Sequence, residues 1–192
     1  INATFVGSNA GQNCNGANYT VFLGASVGAA SSATYSLFVG YDSGDNSSGM
    51  FVYAIGAQSA RNMASATNVV ALGVSAGDYC TGPQFTTLIG TNAGAGANGI
   101  QYVQFIGYAA GQNASSLQNS EGYGEYALSS SNGIISSSAY GANCGSSANS
   151  WAYMSALGYY AGYQASNVSD SLFLGRYAGS YTTVFHGSVS IG

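Results

Sequence analysis

Two stretches carry the pattern that decides the fold: Phe105-Ile106-Gly107-Tyr108-Ala109-Ala110-Gly111 and Phe173-Leu174-Gly175-Arg176-Tyr177-Ala178-Gly179. In each, an aliphatic residue precedes a glycine, and a small residue and a second glycine follow three and four residues later. The first glycine, here called the anchor, recurs along the whole chain at intervals of 17, 16 and 16 residues and then eight times at 17. The anchors are Gly7, Gly24, Gly40, Gly56, Gly73, Gly90, Gly107, Gly124, Gly141, Gly158, Gly175 and Gly192.

The columns beside the anchors confirm the repeat, because they were not used to find it. Four residues after the anchor, nine of eleven residues are glycine, where a content of 29 glycines in 192 residues predicts about two. One residue before the anchor, ten of twelve are aliphatic and two are tyrosine, and we expect this column to fill the interior of the fold. Its members are Val6, Leu23, Val39, Ile55, Leu72, Ile89, Ile106, Tyr123, Tyr140, Leu157, Leu174 and Ile191.

A period of 17 residues with two glycines in each repeat predicts short strands rather than helices. The segments before the anchors are rich in β-branched and aromatic residues, as in 19–23 (YTVFL) and 68–72 (NVVAL). A propeller blade needs about 40 residues, so each repeat suits one coil of a solenoid instead. We therefore predict a single all-β domain over 1–192, a parallel β-solenoid of about 11–12 coils without notable helices, with the anchors at its corners.

Equivalent residues of successive coils stack about 4.8 Å apart in such a fold, so each column becomes a ladder. Stacked like charges repel at this distance, which explains why charged residues make up only 4% of the chain. A second apolar column precedes the strands, and we expect it to form a second inward ladder. Its members are Met50, Ile100, Leu117, Ile134, Trp151, Val168 and Phe185.

Charge and hydropathy exclude several classes of function. The net charge is −4, and Arg61 and Arg176 are the only Lys or Arg residues, so a nucleic-acid binder is not expected. The chain contains no run of 18 apolar residues, so we expect no insertion into a membrane.

Catalytic and metal-binding patterns are equally sparse. His186 is the only histidine, Cys14, Cys80 and Cys144 form no CxxC pair, and the stretch 42–46 (DSGDN) resembles a calcium loop but occurs once. We expect no enzyme, no metal site and no cofactor, and small buried cysteines. Five glycosylation sequons matter only in a source that glycosylates secreted proteins; they begin at Asn2, Asn18, Asn46, Asn113 and Asn167.

Tyrosines are the best binding candidates, because a phenol offers an apolar face with a polar tip. Tyr126, Tyr159, Tyr160 and Tyr177 lie one or two residues after anchors, and Tyr160 and Tyr177 share a column on adjacent coils. Outward tyrosines there could stack on sugar rings or on a second rod, or could pack only on each other.

The repeat, in the two copies quoted first, resembles the head repeats of trimeric autotransporter adhesins and the Gly-rich repeats of bacteriophage tail fibres. The resemblance covers nearly the whole chain and implies a left-handed parallel β-roll, three chains side by side, at a cell surface. The adhesin repeats are shorter than 17 residues, and no functional residue is carried across because the motif is structural.

The sequence predicts a structural or adhesive component of an extracellular filament, a cell-surface adhesin or a phage fibre. Neither end departs from the repeat and the chain opens without Met, so we expect a processed chain or part of a longer fibre, with copies of itself as partner. The alternatives are a glycan-binding module that uses the tyrosine columns and an ice-binding solenoid. The expected location is extracellular, on a cell or on a virion.

Overall fold

The computed structural model describes residues 2–192, which form a parallel β-solenoid of about eleven coils, as the repeat predicts. These residues contain no helix. The strands are β1 (Thr4–Val6), β2 (Val21–Leu23), β3 (Leu37–Val39), β4 (Gly49–Ile55), β5 (Ala66–Leu72), β6 (Gln84–Ile89), β7 (Gln104–Ile106), β8 (Glu121–Tyr123), β9 (Asn132–Ile135), β10 (Ser138–Tyr140), β11 (Asn149–Ala152), β12 (Ser155–Leu157), β13 (Ser166–Ser169), β14 (Leu172–Leu174), β15 (Phe185–His186) and β16 (Val189–Ile191).

Two parallel sheets run along the solenoid. The larger has twelve strands in the order β1-β2-β3-β4-β5-β6-β7-β8-β10-β12-β14-β16, and the smaller has four in the order β15-β13-β11-β9. Paired residues are one repeat apart, so Phe22 faces Phe38 and Ala139 faces Ala156. Twelve strands about 4.8 Å apart make the larger sheet about 53 Å long.

Residues are described below by their position in the coil, with the anchor glycine at position 0 and the residue before the next anchor at position 16. The eleven anchors from Gly7 to Gly175 form the predicted corners, with φ between 117° and 143°. A Cβ atom at Gly73 would lie 2.5 Å from the carbonyl oxygen of Gly90 on the next coil. Glycine is therefore required here both by its φ and by the close approach of the next coil.

The remaining corners also have positive φ, at positions 2, 4, 6, 9 and 12, and many of these residues are not glycine. Ser75, Gly77 and Tyr79, for example, have φ of 55°, 67° and 55°. The N–H of Ser75 donates to Ala57 of the preceding coil at 2.9 Å, whereas that of Gly77 donates to Ala93 of the following coil at 2.9 Å. Because alternate corner residues bond to the coils on either side, the corners are hydrogen-bonded as regularly as the strands, which offsets the strain of a left-handed backbone.

The aliphatic column at position 16 does not fill the interior, so that expectation is wrong. In the strands of the larger sheet, position 15 points inward and positions 14 and 16 point outward; Phe22 is fully buried, whereas Val21 and Leu23 are 40% and 45% exposed. Successive residues of a strand face opposite sides, so the phenylalanine and alanine residues at position 15 form this wall of the core. The interior is completed by the inward positions 3, 7, 10 and 13.

In some coils the size of the residue at position 15 is matched by the residue six further along the chain, at position 4. The ring of Phe105 occupies the space that a side chain at Gly111 would need. Where position 15 holds Gly122 instead, position 4 holds Leu128, which is fully buried. Where position 15 holds alanine, position 4 stays small and other side chains, such as Met63, fill the space. Large side chains therefore enter the interior from several positions, and the packing stays dense although no single column is uniform.

The second predicted inward ladder exists at position 10, with two exceptions. Ile100, Leu117, Ile134, Trp151 and Val168 are buried. Phe185 is only half-buried. Met50 is 46% exposed, so its assignment to this ladder is wrong. The coil that begins at Gly40 has 16 residues and lacks position 9, which places Gly49 at position 10 and moves Met50 outward to position 11.

Hydroxyl groups inside the solenoid bond to the backbone of the neighbouring corner. At position 13, Ser36 donates to the carbonyl of Thr34 at 2.8 Å, and Thr86 donates to that of Gln84 at 2.9 Å. Among the described residues, no buried side-chain nitrogen or oxygen is left without a hydrogen-bond partner. The polar residues of the core are thus paired, as burial requires.

Candidate functional surfaces

The outer surface of the larger sheet is an apolar face, defined here as the outward side chains at positions 14 and 16. Position 16 is aliphatic or tyrosine on every coil, and Ile55, Leu157 and Leu174 are 46%, 51% and 38% exposed. Position 14 adds apolar side chains towards the N-terminal end, such as Leu37 and Val70. With two columns about 6.6 Å apart and a length of about 53 Å, the face covers about 600 Å² once the width of the side chains is included.

The aliphatic column of position 16 is interrupted once, near its middle, and position 14 is polar from Thr87 to Ser155. The stacked rings of Tyr123 and Tyr140, with centroids 5.1 Å apart, replace the aliphatic residues of position 16. Tyr123 donates to Gln104 at 2.7 Å, and Tyr140 donates to the carboxylate of Glu121. The hydrogen bond to Glu121 raises the pKa of Tyr140, while burial and the same carboxylate raise that of Tyr123. The two hydrogen bonds and the ring stacking thus join these four residues into one group.

Three of the four predicted binding tyrosines come together near the C-terminal end, in a tyrosine cluster composed of Tyr159, Tyr160, Tyr163, Tyr177 and Tyr181. Tyr160 stacks on Tyr177 with ring centroids 5.3 Å apart and meets Tyr159 and Tyr163 edge-on at 4.5 and 4.9 Å. Tyr163 contacts Tyr181 at 5.6 Å. Partial desolvation is the largest cause of the raised pKa of Tyr160, and the neighbouring phenols raise it further. Five phenols thus form one continuous surface over the last two coils.

Tyr126, the fourth predicted residue, lies apart from this cluster. It makes an edge-on contact with Tyr108 at 5.4 Å, two coils away from Tyr160. The neighbouring phenol of Tyr108 is the largest cause of the raised pKa of Tyr126. Between the two groups, the coil of Gly141 carries Ala142 and Asn143 at positions 1 and 2, so the aromatic surface is interrupted there.

Arg176 belongs to the tyrosine cluster and was not singled out by the sequence. Its guanidinium carbon lies 5.6 Å from the ring centroid of Tyr159 and 5.1 Å from that of Tyr177. Tyr163 and Tyr181 were also missed, because they follow the anchor by five and six residues rather than by one or two. The left-handed turns at positions 2 to 6 bring these columns side by side. The sequence columns therefore show that these residues are neighbours only when the turns between the columns are known.

Arg61, the other cation of the chain, is in a different environment. Its guanidinium makes a two-point contact with the carboxylate of Asp78, at 2.7 and 3.1 Å. This hydrogen bond raises the pKa of Arg61. Among the described residues this is the only salt bridge, so Arg176 has no carboxylate within ion-pair distance there.

A second aromatic ladder follows the corner at position 12. Tyr19 stacks on Tyr35 at 5.0 Å and Tyr35 on Phe51 at 5.4 Å; after one interruption, Phe85 stacks on Tyr102 at 4.9 Å. All five rings are exposed and lie beside the apolar face. The stacking offsets part of the cost of placing bulky residues at a positive φ, since an aromatic pair contributes about 0.5–1.5 kcal/mol.

Near the C-terminal end, an open groove of about 410 Å³ lies where position 12 is occupied by smaller residues. Tyr153, Asp170, Leu172 and Val189 are among its lining residues. The only histidine of the chain lies on the adjoining position 11, where the Nδ1 atom of His186 is 2.8 Å from Ser169 Oγ. The groove is shallow and continuous with the apolar face.

Further expectations from the sequence concern the cysteines, metal binding and membrane insertion. All three cysteines are free in the described structure; Cys80 and Cys144 are buried and Cys14 is half-buried. Burial raises the pKa of Cys80 and Cys144 to about 12. Residues 2–192 contain no group of three or more His, Cys, Asp or Glu side chains placed to hold a metal ion. Within the same residues, no helix is long and apolar enough to cross a membrane.

No protein-family model matches this chain, and no curated protein is similar to it at a significant level. The resemblance to adhesin heads and phage fibres is therefore supported by the repeat pattern alone.

Proposed function

We propose that this chain is a rod-shaped structural module of an extracellular, cell-surface or virion fibre, and that copies associate side by side through the apolar face. The observation that supports this proposal is the unbroken outward column at position 16, which carries an aliphatic residue or tyrosine on every coil. Single exposed aliphatic residues are common on soluble proteins, but a face of about 600 Å² with such a column along its whole length is at the upper end of the patches found on monomers, and patches of that size often mark interaction sites.

The partner that fits this face best is a second copy of the chain. Two faces of about 600 Å² bury about 1,200 Å² in total, above the roughly 1,000 Å² that a specific interface needs. Similar apolar side chains about 4.8 Å apart on two sheets can interdigitate as in a dry zipper between paired sheets. Glu121 is the only charged side chain on the face, so two copies meet with little electrostatic repulsion.

A fibre role also accounts for the composition. A rod that presents the same columns on every coil offers the same surface along its length, which suits lateral assembly rather than one localised reaction. An ice-binding surface, by contrast, requires a regular threonine ladder on one outer face. Thr20 and Thr86 are buried at position 13, whereas Thr67 and Thr91 lie outward in other columns.

The proposal predicts that lysines on the apolar face dissolve the assembly. The variant Leu23→Lys, Ile55→Lys and Ile89→Lys places three charges along position 16. Sedimentation velocity of the wild type should give a species of two or more chains, and the variant should sediment as a monomer, because burying unpaired charges is unfavourable.

A matched control adds the same charge at similar heights on another surface. Ser32→Lys, Ala64→Lys and Asn98→Lys lie at position 8, where the side chains are exposed or half-buried. This control should assemble like the wild type. A wild type that is monomeric at high concentration refutes the proposal, as does a control that dissociates as completely as the apolar-face variant.

A further inference from the structure

Arg176 combines a positive charge without an ion pair and contacts with two aromatic rings. It is the only Lys or Arg side chain there without an ion pair, since Arg61 is bound to Asp78. It is also surrounded by phenols, in cation–π contact with Tyr159 and Tyr177. In a protein of net charge −4, the uncompensated positive charge therefore coincides with the densest aromatic surface.

The acidic residues of the chain are distant from this point in the coil. Positions 1 to 6 of the last three coils, which carry the tyrosine cluster, contain no Asp or Glu. The nearest acid in these columns is Glu125, two coils before Tyr159. Asp170 is at position 12, across the sheet from the cluster. The cluster thus offers a locally positive, aromatic surface to an approaching anion.

The chemistry of the cluster selects a particular class of anion. A guanidinium binds a carboxylate through two parallel hydrogen bonds. Five phenolic hydroxyls can each donate and accept hydrogen bonds, which suits a ligand with many hydroxyl groups. Tyr159 and Tyr177 are exposed by 45% and 46%, so their rings also offer apolar surface to the C–H face of a sugar.

We infer that the tyrosine cluster and Arg176 form a binding site for an acidic saccharide, in which Arg176 binds the carboxylate of a uronic acid and the phenols contact its ring and hydroxyls. A polyanion such as a nucleic acid fits less well, because one arginine neutralises one phosphate and binding strength depends on many such contacts. A flat base would also need an open slot between parallel rings, and the stacked pair Tyr160 and Tyr177 is already closed at 5.3 Å. The site is separate from the apolar face, and the inference does not depend on the proposed assembly.

The test is titration calorimetry of the full chain with trigalacturonate, with the neutral trisaccharide of the same linkage, and with guanosine monophosphate. Trigalacturonate should bind more tightly than the neutral sugar, and its affinity should fall as salt is added. Arg176→Gln should weaken it about tenfold, equivalent to about 1.4 kcal/mol, and leave the neutral sugar unaffected. Replacing Tyr160 and Tyr177 together with serine should weaken both sugars.

Arg61→Gln is the matched control, since it removes the same charge from a distant coil. It should change the affinity for trigalacturonate less than twofold. Equal loss in the two arginine variants, equal affinity for acidic and neutral sugars, stronger binding of the nucleotide, or no binding of any probe would each overturn the inference. Sedimentation of the same samples shows whether assembly is intact, so failure here is distinguishable from failure of the proposed lateral association.

Discussion

Substitutions at Phe105 and Gly111 should have strongly non-additive effects on the free energy of unfolding. Phe105 is fully buried and its ring lies where a side chain at Gly111 would extend. Phe105→Ala removes a buried phenyl and should cost about 3–5 kcal/mol of unfolding free energy. Gly111→Leu alone should cost a comparable amount, because it overpacks the core by about 1–3 kcal/mol and places a side chain at φ 64°, for about 1–2 kcal/mol more.

The double variant should be much less damaged than the sum of the two. The chain already contains the arrangement it creates, since Leu128 adopts φ 53° beside Gly122. Leucine would fill most of the space that the phenyl vacates, regaining about 1.5–3 kcal/mol of burial. We therefore expect a favourable coupling energy of about 3 kcal/mol in the double-mutant cycle, near the upper end for residues in contact.

Urea unfolding measures each corner of this cycle. The fluorescence of Trp151, which is buried and donates to the carbonyl of Ala165 at 3.2 Å, reports on packing of the core. Circular dichroism reports on the strands. Penalties that simply add would refute the size matching between Phe105 and Gly111.

Two further predictions concern the corners and the thiols. Gly73→Ala should lower stability by several kcal/mol, because its Cβ would lie 2.5 Å from the carbonyl oxygen of Gly90. Gly99→Ala, at φ 62° with open space around it, should cost only about 1 kcal/mol of strain. Thermal unfolding compares the two variants, and similar losses would contradict the steric explanation. Cys80 and Cys144, whose pKa is raised to about 12, should resist a thiol reagent at pH 8 until the chain unfolds. Because the unfolded thiols ionise at lower pH than the folded ones, stability should decrease as the pH rises from about 9 towards 12. In the labelling experiment, rapid reaction of the native chain would contradict this prediction, because it would show that these coils open.

The coil itself was predictable because its requirement on the backbone is strict. Anchor glycines such as Gly73 are fixed by φ and by the carbonyl of the next coil, so the period remains visible even where side chains vary. The two 16-residue intervals were visible too, but not their effect on Met50. Which position a shorter coil omits depends on the corner geometry, and a column count alone does not reveal it.

The direction of the strands was harder to determine. In segments such as Val21-Phe22-Leu23, all three residues are apolar, so the alternation that normally separates inside from outside is absent. The exchange of size between Gly122 and Leu128 identifies the inward column, but this signal lies six residues apart and outside the strand. Because the outer face is apolar as well, polarity does not distinguish the two sides of these strands.

Part of the candidate binding surface was also predictable. Tyr160 and Tyr177 share a column, and the repeat alone predicts that they stack. Tyr163, Tyr181 and Arg176 join them only because of left-handed turns between columns, where tyrosine occupies positions more typical of glycine or asparagine. Residue propensities do not predict such turns, because the backbone hydrogen bonds between coils override them.

Each coil touches only the coil before it and the coil after it, and this makes the length of the molecule independent of its cross-section. Duplicating one 17-residue unit would extend the rod by a single step and present one more identical strip to a neighbour. Lengthening by whole units would therefore increase the length of the rod and the area of its outer columns in the same proportion.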